Sequence, residues 1–333
     1  MKIEKTMVLS SEEVKGLIRI KDVIGAVERA FREYGEGKAQ MPPKTYVDFP
    51  EYKGDLRVMP AYLPAQKIAG VKIVNVHPDN PGKGLPTVMA TIQLNDPETG
   101  YPLAILAGTE ITAARTGAAA AVATKYLSRK DAETIGLVGA GVQARTQLEA
   151  IMQVRKIKKA IVADASLPAA QRFAREMKEK TGLEIIATNE LEKAVKCDIV
   201  STTTPVRIPI VMDKWVQPGT HINAIGADAK GKEELEPEIL KRARVFVDDW
   251  AQASHSGEIN VPCTNCSFTK EDLAGSLGEV VAGMAEGRTA NDQITVFDST
   301  GLAIQDIATA KLVYERAVSQ GLGRKIAFVN PPA

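Results

Sequence analysis

The sequence predicts an α/β fold, in which a doubly wound parallel sheet follows an α+β domain built from both ends of the chain. From Lys130 to about Phe297, short apolar runs alternate with segments of helix-forming composition, a pattern typical of parallel strands joined by helices. Before that region, helical segments lead into strand-like runs separated by turn residues. The length of 333 residues suits about two domains.

In the doubly wound region, we expect the apolar runs to be strands and the segments between them to be helices. Parallel strands connected in this way form right-handed crossovers, and ligands bind beyond their carboxyl ends. The predicted strands are Ile135–Val138, Ala160–Ala163, Glu184–Ala187, Asp198–Thr202, His221–Ile225, Arg244–Val247 and Ile294–Phe297, and the predicted helices are Gln143–Val154, Ala169–Lys180, Glu190–Val195 and Pro237–Lys241.

The first part of the chain is expected to contain two helices followed by five strands. An alanine-rich helix over about Glu110–Leu127 leads into the next domain, and a late helix over Leu302–Ser319 is expected to pack back on the first. The sequence thus predicts a discontinuous domain, 1–120 completed by 302–333, and a second domain over 121–301. The first helices are about Ser11–Leu17 and Lys21–Glu36, and the strands lie near Thr45–Phe49, Leu56–Met59, Ile68–Val76, Thr87–Leu94 and Leu103–Leu106.

The most informative motif is a glycine-rich turn at the start of the second domain. Gly139, Gly141 and Ala144 fill the small-residue positions of G-x-G-x-x-G/A, directly after an apolar run. These positions allow a tight turn, close approach of backbone to a pyrophosphate, and close packing of the next helix. That helix directs free N–H groups at the phosphates. The motif therefore predicts a Rossmann-type nucleotide-binding domain.

Asp164 indicates which dinucleotide this domain binds. It ends the second apolar run of the domain, 25 residues after Gly139. A carboxylate at this place accepts hydrogen bonds from a ribose 2′-hydroxyl and repels a 2′-phosphate. No Arg or Lys occurs in the next four residues, which favours NAD over NADP, although the loops near Ser166 and Arg207 leave a 2′-phosphate contact open.

Composition argues against several classes of function. A formal net charge of +1 and the lack of a long basic run argue against a nucleic-acid-binding protein. No apolar run approaches the roughly 18 residues of a membrane span, and the N-terminus lacks the apolar core of a signal peptide, so we expect a cytoplasmic protein. Three cysteines cannot build a disulfide framework. Cys263 and Cys266 lack the further ligands of a zinc site, so no metal is expected and their role stays open.

Six motifs occur in an order that resembles the ornithine cyclodeaminase/μ-crystallin family and, within it, most closely the archaeal-type alanine dehydrogenases. The resemblance covers nearly the whole chain. It implies that the discontinuous domain binds substrate and forms a homodimer, that the active site lies in the interdomain cleft, and that NAD is the cofactor. The motifs are Gly70–Asn75, Arg115–Gly117, Gly139–Gln143, His221–Asp228, Gly231–Leu235 and Phe297–Gly301.

The resemblance also implies a set of NAD contacts. Among them, the Arg115 guanidinium suits bidentate pairing with pyrophosphate oxygens, and Val142 and Gln143 offer backbone N–H groups where a helix begins. The full set is Thr87, Arg115, Gly139, Gly141, Val142, Gln143, Asp164, Thr203, Ile225, Gly226, Ala227, Asp228, Lys232 and Ser299.

Lys72 and Asp228 are the candidate catalytic residues. Lys72 lies in the apolar run Val71–Val74, where a charged lysine is costly unless it is paired or functional. Desolvation lowers the pKa of a lysine, so that it exchanges a proton near neutral pH. A side chain that extends from an edge strand to solvent is the alternative. Asp228 follows a predicted strand, and a helix-capping role is its alternative.

Lys44 and Arg57, together with Lys72, are the candidate ligands of a substrate carboxylate. The resemblance implies a departure from the cyclodeaminase pattern, because ornithine enzymes carry a glutamate near the position of Arg57. A cation there repels a distal ammonium by roughly 4 kcal/mol at about 4 Å and an effective dielectric of about 20. The sequence therefore favours a short 2-amino acid over a diamino acid.

These observations predict an NAD-dependent L-alanine dehydrogenase, which forms pyruvate and ammonium and catalyses the reverse reductive amination. Three alternatives stay open. One is an ornithine cyclodeaminase, which forms proline and ammonia without net reduction of NAD. The second is a ketimine reductase that acts on cyclic imino acids. The third is a μ-crystallin-like protein that binds NAD(P)H without catalysis.

Overall fold

A computed structural model describes residues 5–329 of the chain. The helices of these residues are α1 (Ser11–Leu17), α2 (Ile20–Gly35), α3 (Thr109–Leu127), α4 (Val142–Ile151), α5 (Leu167–Thr181), α6 (Leu191–Val195), α7 (Pro237–Arg242), α8 (Trp250–Ser256), α9 (Asn260–Thr264), α10 (Leu277–Ala282) and α11 (Ala303–Gln320). The strands are β1 (Thr6–Leu9), β2 (Thr45–Phe49), β3 (Gly54–Leu63), β4 (Ile68–Val76), β5 (Val88–Asn95), β6 (Pro102–Ala107), β7 (Thr134–Val138), β8 (Lys159–Ala163), β9 (Ile185–Thr188), β10 (Ile199–Thr202), β11 (His221–Ala224), β12 (Arg244–Val247), β13 (Leu273–Ser276), β14 (Thr295–Asp298) and β15 (Arg324–Ile326).

The chain forms two compact units. Unit 1 contains the residues up to Arg115 and those from Leu302 onward, and unit 2 contains Thr116–Gly301. The first boundary lies inside α3, and the second lies just before α11. No helix within residues 5–329 is both long enough and apolar enough to cross a membrane.

Unit 1 is built on a seven-stranded sheet with the order β15-β1-β6-β5-β4-β3-β2. Neighbouring strands are antiparallel except β1 and β6, which are parallel. Helix α11 packs against β3, β4 and β5 and also against α2. A Cβ on Gly70 of β4 would lie 2.9 Å from the Ile307 side chain of α11, so the missing side chain lets helix and sheet approach closely. Strand β4 is therefore an interior strand that α11 covers.

Unit 2 is built on an eight-stranded parallel sheet with the order β13-β12-β14-β11-β10-β7-β8-β9. Side chains that alternate along β7, β8 and β10 enter two separate apolar clusters, as expected for strands covered on both faces of the sheet. From β7 the chain continues first to β8 on one side and later to β10 on the other. The strand order thus reverses between β7 and β10, and such a switch point is where ligands bind.

The predicted α/β class is confirmed, and the seven strands predicted in unit 2 all occur with each end within one residue of its expected place. Three short strands were not predicted: β1, β13 and β15. Each has three or four residues, too few to show a reliable alternation of apolar and polar side chains. Strand β1 exists because β15 and β6 flank it, and such pairing is a tertiary effect that local composition does not encode.

Candidate active site

Lys72 lies at the centre of unit 1. In register it faces Met59 of β3 on one side and Ile92 of β5 on the other. Its side chain is 1 % exposed, and its Nζ lies 2.6 Å from Oδ2 of Asp306, a fully buried residue of α11. The alternative of an edge-strand lysine that reaches solvent is therefore wrong. A buried ammonium with a single close carboxylate has the surroundings of a functional or strictly paired group.

The surroundings of Lys72 favour its neutral form. Burial, together with the positive charges of Arg115 and Lys44, lowers the pKa of Lys72 to about 7, although the Asp306 carboxylate opposes this shift. An unperturbed lysine has a pKa of about 10.4 and is fully protonated at neutral pH. Lys72 can therefore donate or accept a proton near pH 7.

Asp306 connects Lys72 with Arg115. Its Oδ1 accepts a hydrogen bond from Nε of Arg115 at 3.0 Å, and Gln305 Oε1 accepts one from Nη1 of Arg115 at 2.9 Å. One buried carboxylate thus faces two cations. The Arg115 guanidinium, predicted to contact a pyrophosphate, is fixed in orientation by these two bonds.

Arg57 lies on the same face of the sheet as Lys72. It is opposite Val74, two residues beyond Lys72 along β4. Asp55 accepts hydrogen bonds from Nε of Arg57 at 2.8 Å and from its Nη2 at 2.9 Å, and the guanidinium lies over the Tyr46 ring at 5.4 Å. Asp55 therefore offsets the charge at position 57, so Arg57 repels a distal ammonium less than an unpaired cation at this position.

Four basic side chains thus belong to one region of unit 1, and we call them the cationic cluster: Lys44, Arg57, Lys72 and Arg115. Lys44 immediately precedes β2, and its positive charge helps to lower the pKa of Lys72. Asp55 forms an ion pair with Arg57, and Asp306 forms ion pairs with Lys72 and Arg115. Ammonium and guanidinium groups gathered in this way suit a small ligand that carries a carboxylate. Thr87, the remaining predicted site residue of unit 1, directly precedes β5.

The glycine-rich turn follows β7 in unit 2. Gly139 has φ +97°, and a Cβ there would lie 2.9 Å from Thr203 Oγ1, so only glycine fits this turn without strain. Gly141 is the N-cap of α4, and a Cβ built on it meets no atom of residues 5–329 within 4 Å, its chain neighbours aside. Val142, the first residue of the helix, is 66 % exposed. The start of α4 is therefore open to a pyrophosphate.

Arg145 supports this turn from within unit 2. Its Nη1 donates to the carbonyl oxygens of Ala140 at 2.7 Å and Gly141 at 3.0 Å. The guanidinium lies over the Phe173 ring at 5.0 Å and pairs with Glu176. The N–H groups at the start of α4 are left without intrahelical acceptors, as at the start of any helix.

Asp164 follows β8 and contacts the same turn. Its Oδ2 accepts from the backbone N–H of Ala140 at 2.9 Å, and its Oδ1 accepts from that of Ser166 at 2.8 Å. These bonds hold the carboxylate beside the glycine turn. Each carboxylate oxygen has a second lone pair, so a ribose hydroxyl can still donate to it.

The other predicted site residues of unit 2 follow the carboxyl ends of neighbouring strands. Thr203 follows β10, Ile225–Asp228 follows β11, and Ser299 follows β14. Lys232 forms an ion pair with Asp228, with Nζ 2.5 Å from Oδ1. The Ser299 hydroxyl is buried and has no hydrogen-bond partner among the described residues. The carboxyl edge of this sheet thus carries the polar groups expected of a dinucleotide site.

Sequence reasoning missed four buried residues that shape these regions. Asp306 and Gln305 lie on a helix whose other inward residues are mainly apolar, and an acid among apolar residues is itself a sign of a buried ion pair. Glu234 and Glu258 are fully buried in unit 2. Both lie outside the regular apolar runs on which strand prediction depends.

Of the two cysteines whose role the sequence leaves open, Cys263 is half-buried and Cys266 is exposed. Burial raises the pKa of the Cys263 thiol to about 11, which keeps it protonated at neutral pH. Within residues 5–329 no group of three or more His, Cys, Asp or Glu side chains is arranged to hold a metal ion.

Comparison with known proteins gives one consistent family. The model of the ornithine cyclodeaminase/mu-crystallin family matches residues 4–321. The alanine dehydrogenase of Archaeoglobus fulgidus is 51 % identical over 324 residues, which cover 97 % of this chain and 99 % of that protein. The structure of an archaeal alanine dehydrogenase dimer with bound NAD has a TM-score of 0.94 at 51 % identity, with 98 % of this chain and all of that chain covered.

A relative with a different substrate is also similar. The Δ1-pyrroline-2-carboxylate reductase of Thermococcus litoralis, solved with NADH and L-proline, has a TM-score of 0.94 at 43 % identity and covers 96 % of this chain and all of its own. Both structures hold the cofactor that the sequence predicts, NAD or its reduced form. The chain belongs to the ornithine cyclodeaminase/mu-crystallin family.

Proposed function

We propose that this protein catalyses the NAD-dependent oxidative deamination of L-alanine to pyruvate and ammonium, and the reverse reductive amination. The observation that carries the proposal is the cationic cluster around the buried Lys72, which suits a small 2-amino or 2-oxo acid. The 51 % identity to a protein named alanine dehydrogenase supports alanine as the substrate. Because a similar structure is that of a dimer, we also expect a homodimer.

NAD suits the residues at the carboxyl edge of the sheet in unit 2. The open N-terminus of α4 and the glycine turn suit the pyrophosphate, and Asp164 suits the adenosine ribose. The buried Ser299 hydroxyl offers a hydrogen bond that no described residue takes up. When bound, NAD accepts the hydride that leaves the substrate Cα.

In this proposal the cationic cluster holds and orients the substrate. Arg57 and Lys44 bind the carboxylate, and Asp55 fixes the orientation of the Arg57 guanidinium through its Nε and Nη2 atoms. Asp55 also offsets one positive charge, which favours a substrate with one carboxylate over a dicarboxylate. Directed binding of this kind places the Cα–H bond for transfer, and good orientation contributes greatly to rate.

Two groups move the protons. The substrate reacts as the neutral amine, after its ammonium proton has passed to solvent, and loss of hydride from Cα then leaves an iminium group. Water attacks this group, and Asp228 takes one proton of that water. Asp228 then returns the proton to the nitrogen, which leaves as ammonia. Neutral Lys72 accepts the hydroxyl proton as the carbinolamine becomes pyruvate, so that Asp228 ends as it began. Lys72 then releases this proton to solvent, and the free ammonia takes up a proton to become ammonium. In reductive amination the same steps run backwards, and protonated Lys72 donates to the carbonyl oxygen of pyruvate.

This mechanism predicts opposite pH profiles for the two directions. Because Lys72, with its pKa of about 7, must be neutral for deamination, that rate is expected to rise as the pH increases through about 7. Reductive amination needs protonated Lys72 and is expected to fall over the same interval. Asp306 raises the pKa of Lys72, so Asp306→Asn should move both limbs to lower pH. If the pH profiles of the initial rates of Asp306→Asn coincide with those of the wild type, the pH dependence does not come from Lys72.

The substrate is tested by a panel of amino acids followed for NADH and for ammonia. With alanine we expect NADH and ammonia in equal amounts. Proline and ammonia from ornithine without net NADH would instead indicate a cyclodeaminase. The similarity to the Thermococcus litoralis reductase favours one further candidate, reduction of a cyclic imino acid, which NADH oxidation with Δ1-pyrroline-2-carboxylate would reveal. Saturable NADH binding without any turnover would favour a binding protein.

A further inference from the structure

The fully buried Glu234 accepts hydrogen bonds from two different loops of unit 2. From the segment that ends β10 and follows it, Oε2 accepts the Thr202 hydroxyl at 2.6 Å, and Oε1 accepts the Thr204 backbone N–H and hydroxyl, each at 2.7 Å. From the loop after β11, Oε2 accepts the Gly226 N–H at 2.8 Å. We call Glu234, Thr202, Thr204 and Gly226 the Glu234 clamp.

The clamp joins loops that touch each other. A Cβ on Gly226 would lie 2.2 Å from the Thr204 carbonyl oxygen and 2.6 Å from Glu234 Oε2, so no side chain fits between the loops. Thr203 lies inside the clamped segment and donates through its backbone N–H to the Val138 carbonyl, one residue before the glycine turn. Asp228 lies two residues beyond Gly226. The clamp therefore fixes the backbone at two predicted site residues, Thr203 and Gly226, and close to a third, Asp228.

The backbone at Glu234 is itself held in place. Glu258, also fully buried, accepts the N–H of Glu234 at 2.9 Å and the N–H of Leu235 at 2.6 Å, both through Oε1. Burial raises the pKa of Glu258 well above its usual range, and the neighbouring Glu234 raises it further, so Glu258 carries the proton of the pair. Burial raises the pKa of Glu234 as well, but the four donors of Thr202, Thr204 and Gly226 oppose this shift and favour its ionised form.

The strand order indicates which part of a dinucleotide these loops receive. Asp164 follows β8, on one side of β7, whereas the clamped loops follow β10 and β11, on the other side. A dinucleotide bound along this edge, with its adenosine at β8 and its pyrophosphate at β7, brings its nicotinamide half to β10 and β11.

We propose that Glu234 is a positioning residue, which holds the loops after β10 and β11 in the arrangement that receives the nicotinamide half of NAD. The inference rests on the proposed binding of NAD and adds a determinant of that site. Glu234 acts through Thr203 and the segment Ile225–Asp228 and touches neither substrate nor cofactor. Its loss should therefore affect ligands that reach the nicotinamide side more than ligands that end at the pyrophosphate.

Glu234→Gln tests this with two ligands, NADH and ADP, titrated by calorimetry. Both oxygens of Glu234 accept from backbone N–H groups, and a glutamine must point an NH₂ group at one of them. Loss of a buried hydrogen bond to a charged group predicts NADH binding weakened by about tenfold or more. ADP contains only the adenosine and the pyrophosphate, and its affinity should stay within about twofold.

Three further variants sharpen the result. Glu236→Gln is the matched control, because Glu236 accepts the Asp213 N–H at 2.7 Å, away from the clamped loops, and both affinities should be unchanged. Glu258→Gln keeps one carbonyl oxygen for the same two N–H groups, so it should preserve the NADH to ADP affinity ratio. Thr202→Val removes one of the four donors without a change of shape and should weaken NADH about fivefold.

Three results would overturn the inference. One is wild-type affinity for NADH in Glu234→Gln. Another is an equal loss of NADH and ADP affinity in Glu234→Gln and Thr202→Val together with a lower Tm, which would mark Glu234 as a residue of general stability. The third is a wild-type protein that binds no NADH, which overturns the proposed function as well. In the first two results the wild-type protein still binds NADH. Failure of the inference about Glu234 can therefore be distinguished from failure of the proposed function.

Discussion

Lys72→Met is expected to lower kcat in both directions by about 10³- to 10⁴-fold, because the group that exchanges a proton with the substrate oxygen is removed. The fold should tolerate the change, since methionine matches the length of the lysine stem and Asp306 keeps its bond to Arg115. Binding of NADH should stay within about threefold, because the glycine turn and Asp164 belong to unit 2. Initial rates and calorimetric titration measure these quantities.

Lys311→Met is the matched control for this variant. Lys311 lies on α11, five residues beyond Asp306, and pairs with the exposed Glu315. Such surface pairs contribute between about 0 and 1 kcal/mol, so kcat and Tm should change little. Turnover by Lys72→Met within about tenfold of the wild type would remove Lys72 from the mechanism.

Asp228→Asn is expected to lower kcat by about 10²- to 10⁴-fold with NADH affinity within a few-fold of the wild type. The amide has the shape of the carboxylate but cannot take a proton from the attacking water. Lys232 loses its ion-pair partner, which costs little because the pair is partly exposed. Single-turnover measurements that separate NADH binding from the rate of its formation locate the defect in the chemical step.

Asp213→Asn controls for the loss of a paired carboxylate in the same unit. Asp213 pairs with Arg242, with Nε 2.5 Å from Oδ1, and its side chain is 31 % exposed against 33 % for Asp228. This variant should keep full activity. If Asp228→Asn retains wild-type kcat in both directions, the proton from water goes to another group and the proposed role of Asp228 is wrong.

The candidate site residues of unit 2 could be proposed from the sequence because their signals are local. A strand, a glycine turn and a helix are consecutive in the chain, and Asp164 follows at the spacing typical of such domains. The strands β8, β10, β11 and β14 are each followed by a predicted site residue at the carboxyl end, as with Thr203 after β10. Because ligands bind where the strand order of a parallel sheet reverses, the strand order then indicates the edge at which a dinucleotide binds.

The partners of these residues were not predictable. Lys72 was recognised as unusual because it interrupts an apolar run, but its counter-ion Asp306 lies 234 residues away in the chain. Asp55 is two residues from Arg57, yet only the pleat of β3, which puts both side chains on one face, shows that the charge at position 57 is offset. The expected strength of repulsion against a distal ammonium is reduced accordingly.

The sequence by itself determined where the strands of unit 2 that were predicted lie in the chain, the glycine-rich turn and the two candidate proton-transfer residues, because each depends on a pattern within a short segment. Only the tertiary structure decided what charge those residues carry and what holds them. Asp306 beside Lys72 and Glu234 beneath the loops of Thr203 and Asp228 are contacts between segments far apart in the chain. The ionisation of a buried group depends on the charges and dipoles around it, and these exist only once the fold has brought such segments together.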